Sequence, residues 1–156
     1  MKIKTDFITN SSSSSFLVVF DKKPESAGEL KSTLFGERKE FHYPYGDEYW
    51  STEFVAERIF SETGEAEEKD IIEFFLCRSF EGLYERCRLP NGQVDWDKYH
   101  KEESRLAEEE KEWFLGRHKG KYFSIYSFSD NDGKLDCALE HGDVFSNVPN
   151  IQNSQH

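Results

Sequence analysis

Residues 11–20 read SSSSSFLVVF, and the second half of that stretch decides the fold. Phe16-Leu17-Val18-Val19-Phe20 is an unbroken apolar run rich in β-branched residues, the pattern of a strand buried on both faces. Asp21 to Pro24 end it. The run Ser11, Ser12, Ser13, Ser14 and Ser15, with Asn10 before it, reads as a motif loop. It is a tight connection between this core strand and an edge strand in residues 2–8 (KIKTDFI), with hydroxyls placed to satisfy turn amides.

Outward from that strand the periodicity changes from strand-like to helical. Ser26-Ala-Gly-Glu29 is a capping-box pattern that opens a helix with Leu30 and Leu34 on one face and a stop at Gly36. Residues 37–50 (ERKEFHYPYGDEYW) read as an aromatic loop, because Pro44 and Gly46 interrupt any regular element. A second helix starts near Ser51 or Thr52, points Phe54, Val55, Ile59 and Phe60 inward, and ends by Gly64. A third runs from about Glu67 to Cys87 with apolar residues around much of its circumference, which predicts the most buried helix. After the Pro90-Asn91-Gly92 turn a fourth spans about Asp95 to His118, capped by Asp95. Its apolar stripe is thin: Tyr99, Leu106 and Trp113, the seam of a surface helix or of a helical pair.

The C-terminal third returns to strands. Residues 121–129 (KYFSIYSFS) carry Tyr122, Tyr126 and Phe128 on one face and Phe123 and Ile125 on the other, which predicts a central strand. SDNDGK is a turn, LDCALEHGDVF holds a short helix, and NIQNSQH alternates as a last strand. Strands at both ends with helices between them predict an α+β fold. The expectation is one domain over residues 1–156, with a small mixed sheet packed against about four helices from the middle of the chain. If the tail pairs with 121–129, the two strands run parallel with a right-handed crossover.

Bulk composition narrows the function. The chain has 156 residues, 36% of them hydrophobic and 15% aromatic, so it holds enough rings for a folded core. Thirty-one acids against 20 bases give a formal charge of −11, which repels nucleic acid and anionic lipid and attracts a basic protein surface. No stretch has the length of a spanning helix. Cys77, Cys87 and Cys137 lack metal spacing. With the first two on one helix they would lie roughly 15 Å apart, too far to bridge, which points to reduced thiols and a cytoplasmic protein.

Two sets of residues are candidates for a site. Asp130, Asp132, Glu140, His141, Asp143 and His156 form a carboxylate–imidazole cluster suited to acid–base or divalent-metal chemistry, with Asp130, Asp132, His141 and His156 as the catalytic candidates. The EF-hand pattern is not met, since the fifth position from Asp130 is Lys134 and the twelfth is His141. No cofactor is expected, and a divalent ion is considered only for Asp130, Asp132 and His156. The second set is a partner-binding one: Tyr43, Tyr45, Tyr49 and Trp50 in the aromatic loop, and Glu108, Glu109 and Glu110 on the fourth helix. No nucleotide-binding, zinc or nucleophile-elbow motif is present.

The stretch TDFITNSSSSSF resembles the opening TDFxTNSSSSSF of a group of uncharacterised small proteins of bacteria and their phages. FLVVFDKKPES, LFGERKEF and the C-terminal SDNDG…LEHGDVF…VPNIQNSQH resemble the same group across both ends of the chain. Members more often end in two histidines, where this chain has Gln155-His156, so a two-histidine metal site would be half lost here. The resemblance implies a phage or mobile-element origin and expression in a bacterial host cytoplasm. The expected function is an acidic interaction protein that binds a host protein with a basic surface, as an anti-defence inhibitor or nucleic-acid mimic. The alternatives are a metal-dependent hydrolase or nucleotide-acting enzyme built on the Asp/His cluster, and a virion or accessory structural protein assembling through the Tyr99–Leu106–Trp113 seam.

Overall fold

Phe16–Phe20 is buried on both faces, as the apolar run requires, and the strand that contains it, β1 (Ser13–Phe20), is the centre of the sheet. The computed structural model describes residues 12–155. Strands β4 (Tyr122–Ser129) and β5 (Asn150–Gln155) flank β1, both antiparallel to it, in the order β4-β1-β5. The registers run from Ser13 opposite Ser129 to Phe20 opposite Tyr122, and from Ser13 opposite Gln155 to Val18 opposite Asn150.

The α+β class holds, and several finer expectations are corrected. The sheet is antiparallel rather than mixed. The tail pairs with β1, not with 121–129, so β4 and β5 are parallel to each other but separated by the central strand. Among the described residues β4 is an edge strand rather than a central one, its outer side met by the Ala66 amide donating to the Phe123 carbonyl at 2.8 Å. Ser13 to Ser15 belong to β1 and are not a connecting turn. Small hydroxyl side chains are tolerated there because serines also face them: Ser14 Oγ lies 3.2 Å from Ser154 Oγ, and Ser15 Oγ 2.9 Å from Ser127 Oγ. Asn10, Ser11 and the edge strand expected at residues 2–8 lie outside the described residues.

The described residues gather into two compact units, the first formed by residues 12–66 and 121–155, the second by Glu67–Gly120. In the first unit, α1 (Ala27–Phe35) is capped by Ser26, which accepts from the Glu29 amide, and stops at Gly36 with φ of 57°. The stretch 37–50 is not an irregular loop. It folds into β2 (Glu40–His42) and β3 (Tyr49–Ser51), an antiparallel hairpin, with Pro44 and Gly46 confined to its tip. Helix α2 (Thr52–Glu62) follows, capped by Ser51. Because it begins at Thr52, the inward stripe is Thr52, Val55, Ala56 and Ile59, and Phe54 turns outward, contrary to expectation. A 3-10 turn (Asp130–Asp132) leads from β4 into α6 (Lys134–His141). Even-numbered residues of β1, Phe16, Val18 and Phe20, share the core of this unit with Tyr126, Phe128, Leu139 and Phe145. Phe145 stacks on Tyr126 at 5.0 Å and meets Phe16 at 5.1 Å.

In the second unit the helix expected over 67–87 is two. Helix α3 (Glu68–Leu76) buries Ile71, Phe74 and Phe75, and α4 (Leu83–Arg86) follows Gly82, whose φ is 75°. Ile72, Leu76 and Tyr84 are exposed, so the apolar residues that seemed to encircle one helix serve two segments with different inward faces. Cys77 and Cys87 cap these helices rather than sharing one, and the cysteines are free. Helix α5 (Trp96–Arg117) has the predicted Asp95 cap, accepting from the Lys98 amide. Its buried residues are Ala107 and Phe114. Tyr99 and Leu106 pack on Leu83, Cys87 and Val94, whereas Trp113 is exposed beside Arg117, so the seven-residue seam is divided.

Candidate functional site

The side chains that gather at one end of the first unit come from segments far apart in sequence. Ser13 pairs with both Ser129 and Gln155, so the start of β1, the end of β4 and the end of β5 lie at the same sheet end. Asp130 is the next residue after β4, and its amide donates to the Ser12 carbonyl at 3.4 Å. Helix α6 then returns His141 to the same place.

Ser12 joins the two. Its Oγ lies 3.2 Å from Asp130 Oδ2 and 3.3 Å from His141 Nε2. A hydroxyl has one proton and two acceptor directions. When Ser12 donates to Asp130, Nε2 of His141 must be the donor to the serine oxygen. The second neighbour of Nε2, Glu140 Oε2 at 3.4 Å, also favours a proton there. A nucleophilic serine needs the opposite polarity, with the imidazole receiving the hydroxyl proton and a carboxylate orienting its other nitrogen. In that arrangement a polar chain runs from His141 through Ser12 to Asp130, with Glu140 beside the imidazole, and Ser12 faces a donor rather than a base.

Glu140 is the unusual member. Its side chain is fully enclosed, and neither carboxylate oxygen has a hydrogen-bond partner among the described residues. Gln152 Nε2 donates to its backbone carbonyl at 3.4 Å and to Ser14 Oγ at 3.1 Å. One turn back on α6, Asp136 is also buried, but it has a cation, Arg58, at 3.3 Å. Burial raises the Asp136 pKa above the usual carboxylate value and Arg58 opposes that rise. Asp136 had no place in the sequence-based cluster. The available signal was its i, i+4 spacing to Glu140, which puts both acids on one side of α6.

The aromatic hairpin divides into two roles. Tyr43 and Trp50 pack against the core. The Tyr43 hydroxyl lies 3.8 Å from Cys137 Sγ, and that contact is the first cause of a raised phenol pKa. Tyr45 and Tyr49 point outward, 66% and 57% exposed, and the Tyr45 ring sits edge-on to His141 with centroids 5.4 Å apart. The hairpin tip therefore adjoins the Asp130–Ser12–His141 chain. Glu48 on the same tip pairs with Lys134, which lowers the glutamate pKa and raises that of the lysine.

No protein-family model, curated protein or solved structure matches the chain.

The remaining candidates fall out separately. Asp132 is exposed in the 3-10 turn, and Asp143 pairs with Arg38 at 3.0 Å. His156 lies outside the described residues. Among the described residues no three His, Cys, Asp or Glu side chains are grouped so as to hold a metal ion, and no helix is long and apolar enough to cross a membrane. In the second unit, Glu108, Glu109 and Glu110 each have a basic neighbour: Lys111 at 2.9 Å, Arg105 at 2.7 Å and Arg78 at 2.8 Å. The Arg105 pairings hold its guanidinium pKa above the ordinary arginine value. These acids read as a face stitched at i,i+3 and i,i+4 and to Arg78, not as a row of unneutralised charges.

Proposed function

We propose that the chain is a non-enzymatic interaction protein that binds a basic surface of a host protein in the bacterial cytoplasm. It would act there as an inhibitor of a host defence or as a nucleic-acid mimic. The observation that carries this reading is the hairpin tip: two tyrosines more than half exposed, one of them seated against His141, beside the Asp130 carboxylate. Exposed tyrosines next to ordered polar groups have the composition of a binding hot spot, where rings supply contact area at little entropic cost. A formal charge of −11 selects a basic partner. The phage-type resemblance supplies the host context. The test is capture from host lysate at low salt with the wild type and the double variant Tyr45→Ala/Tyr49→Ala. A protein held by the wild type and lost from the variant is expected, and equal retention removes the hairpin from the interface.

A second reading, a hydrolase acting through Asp130, Asp132, His141 and His156, is favoured by the contact of Ser12 Oγ with His141. It requires turnover that depends on an added divalent ion and disappears in Asp130→Asn and His141→Asn.

A further inference from the structure

Glu140 poses a problem that the binding reading does not solve. A carboxylate buried without hydrogen bonds is among the least favourable groups to keep in a core. Arg58, the cation that pairs with Asp136 one turn back on α6, is engaged by Asp136 and Glu62. Beside the Glu140 carboxyl stands the His141 imidazole, with Nε2 at 3.4 Å from Oε2. Glu140 and Asp130 place two carboxyl groups at the two ends of the His141–Ser12 link. The chain from Glu140 through His141 and Ser12 runs outward to the exposed Asp130, and the exposed Tyr45 ring stands against the imidazole.

We propose that this face takes an arginine side chain of the partner, its guanidinium against the Tyr45 ring and its N–H donors on Asp130, with the buried Glu140 carboxyl behind His141. The inference rests on the binding reading above and names the group recognised. A planar guanidinium stacks on an aromatic ring and forks onto a carboxylate at once, and it is more weakly hydrated than an ammonium. A metal ion would need a convergence of ligands that the described residues do not supply.

The probe is N-acetyl-arginine N-methylamide, titrated into the full chain at low salt and followed by backbone amide NMR, with the lysine analogue in parallel. Saturable shifts at Tyr45, Asp130 and His141 are expected, with the lysine analogue at least about fivefold weaker. Asp130→Asn and Tyr45→Ala, both exposed substitutions, should each weaken the arginine probe by about fivefold or more. Glu140→Gln, which keeps the shape and removes the carboxyl group, should weaken it with Tyr45 and Asp130 intact. The assignment falls if shifts appear only elsewhere, if arginine and lysine behave alike, or if no saturation occurs at tens of millimolar probe. Should Glu140→Gln fail to fold, the two exposed variants still decide. Capture of a host protein that survives Asp130→Asn but is lost in Tyr45→Ala/Tyr49→Ala overturns the arginine assignment and keeps the binding reading. A saturable arginine site with no captured host protein does the reverse.

Discussion

Tyr126 shows how one residue links packing to pH. Its ring is stacked under Phe145 and its hydroxyl lies 2.7 Å from Thr63 Oγ1. Burial, partly offset by hydrogen bonds from Ser124 and Thr63, pushes the phenol pKa from 10.0 to about 12. The folded state therefore holds this proton more tightly than the unfolded chain. The stability so contributed is complete below pH 10 and is lost as pH rises from 10 to 12, by roughly 2 kcal/mol. Urea titrations across that window should show the loss in the wild type and its absence in Tyr126→Phe, which is itself destabilised by about 1 kcal/mol at neutral pH. A second asymmetry concerns Asp136. Arg58 also pairs with Glu62 at 2.8 Å, so Asp136→Asn leaves the arginine satisfied and should change stability by less than about 1 kcal/mol. Arg58→Met strands a buried carboxylate and should cost about 2–3 kcal/mol in the same measurement. At this scale, groups that depend on near neighbours were legible: Ser26, Ser51 and Asp95 cap the helices they were read to cap, or one that begins within a residue of the expected start. The Ser12 contacts to Asp130 and His141 were not, because they join residues 118 and 129 apart, and no local pattern encodes such a meeting.

Elements were legible where one periodicity had one cause. The apolar run of β1, the amphipathic stripe of α6 and the long α5 follow directly from their sequences. Two failures share a mechanism. At 67–87, two short helices with different inward faces summed to an apolar pattern all the way round, and Gly82 was the marker of the break. At 37–50, Pro44 and Gly46 punctuate a hairpin tip, and three-residue strands are too short to show alternation. The glycine marker can be tested. A Cβ at Gly82 meets no atom within 4 Å, so the penalty of Gly82→Ala is the φ of 75° alone, about 1 kcal/mol or slightly more. Gly64 is equally unobstructed and has no positive φ, so Gly64→Ala should be neutral or slightly stabilising. Thermal melts of the two variants should differ in direction, and equal shifts would mean that Gly82 is not held left-handed. On α5, Glu108→Gln/Glu109→Gln/Glu110→Gln should alter capture of a host partner by less than about twofold, since paired surface acids contribute little. A larger loss would place the interface on this helix.

At the scale of the whole molecule, the order of the sheet governs how the chain can fold. The central strand is made first and its neighbours last: β1 begins at Ser13, whereas its partners are β4, ending at Ser129, and β5, ending at Gln155. Among the described residues every pairing in that sheet closes a loop of a hundred residues or more, and closure entropy is lost before the ladder forms. The candidate site inherits the same dependence, because Ser12, Asp130 and His141 meet only once β1 and β4 are paired and α6 is laid back. A chain ending at Pro149 keeps β4 and α6 but lacks β5, so β1 loses the ladder from Val18–Asn150 to Ser13–Gln155 and the buried Ser14 loses both Ser154 and Gln152. Such a truncation should unfold at clearly lower urea concentration than the full chain. It should also weaken amide protection across Ser13–Phe20 in hydrogen exchange, including the core residues Phe16 and Val18, which lie opposite Gln152 and Asn150 in the register. If the truncated chain matches the full one in midpoint and in β1 protection, β5 is an ornament on a two-stranded core. If both fall, the end of the chain is needed to hold its beginning, and the serine strand is held in register by residues synthesised more than a hundred positions later.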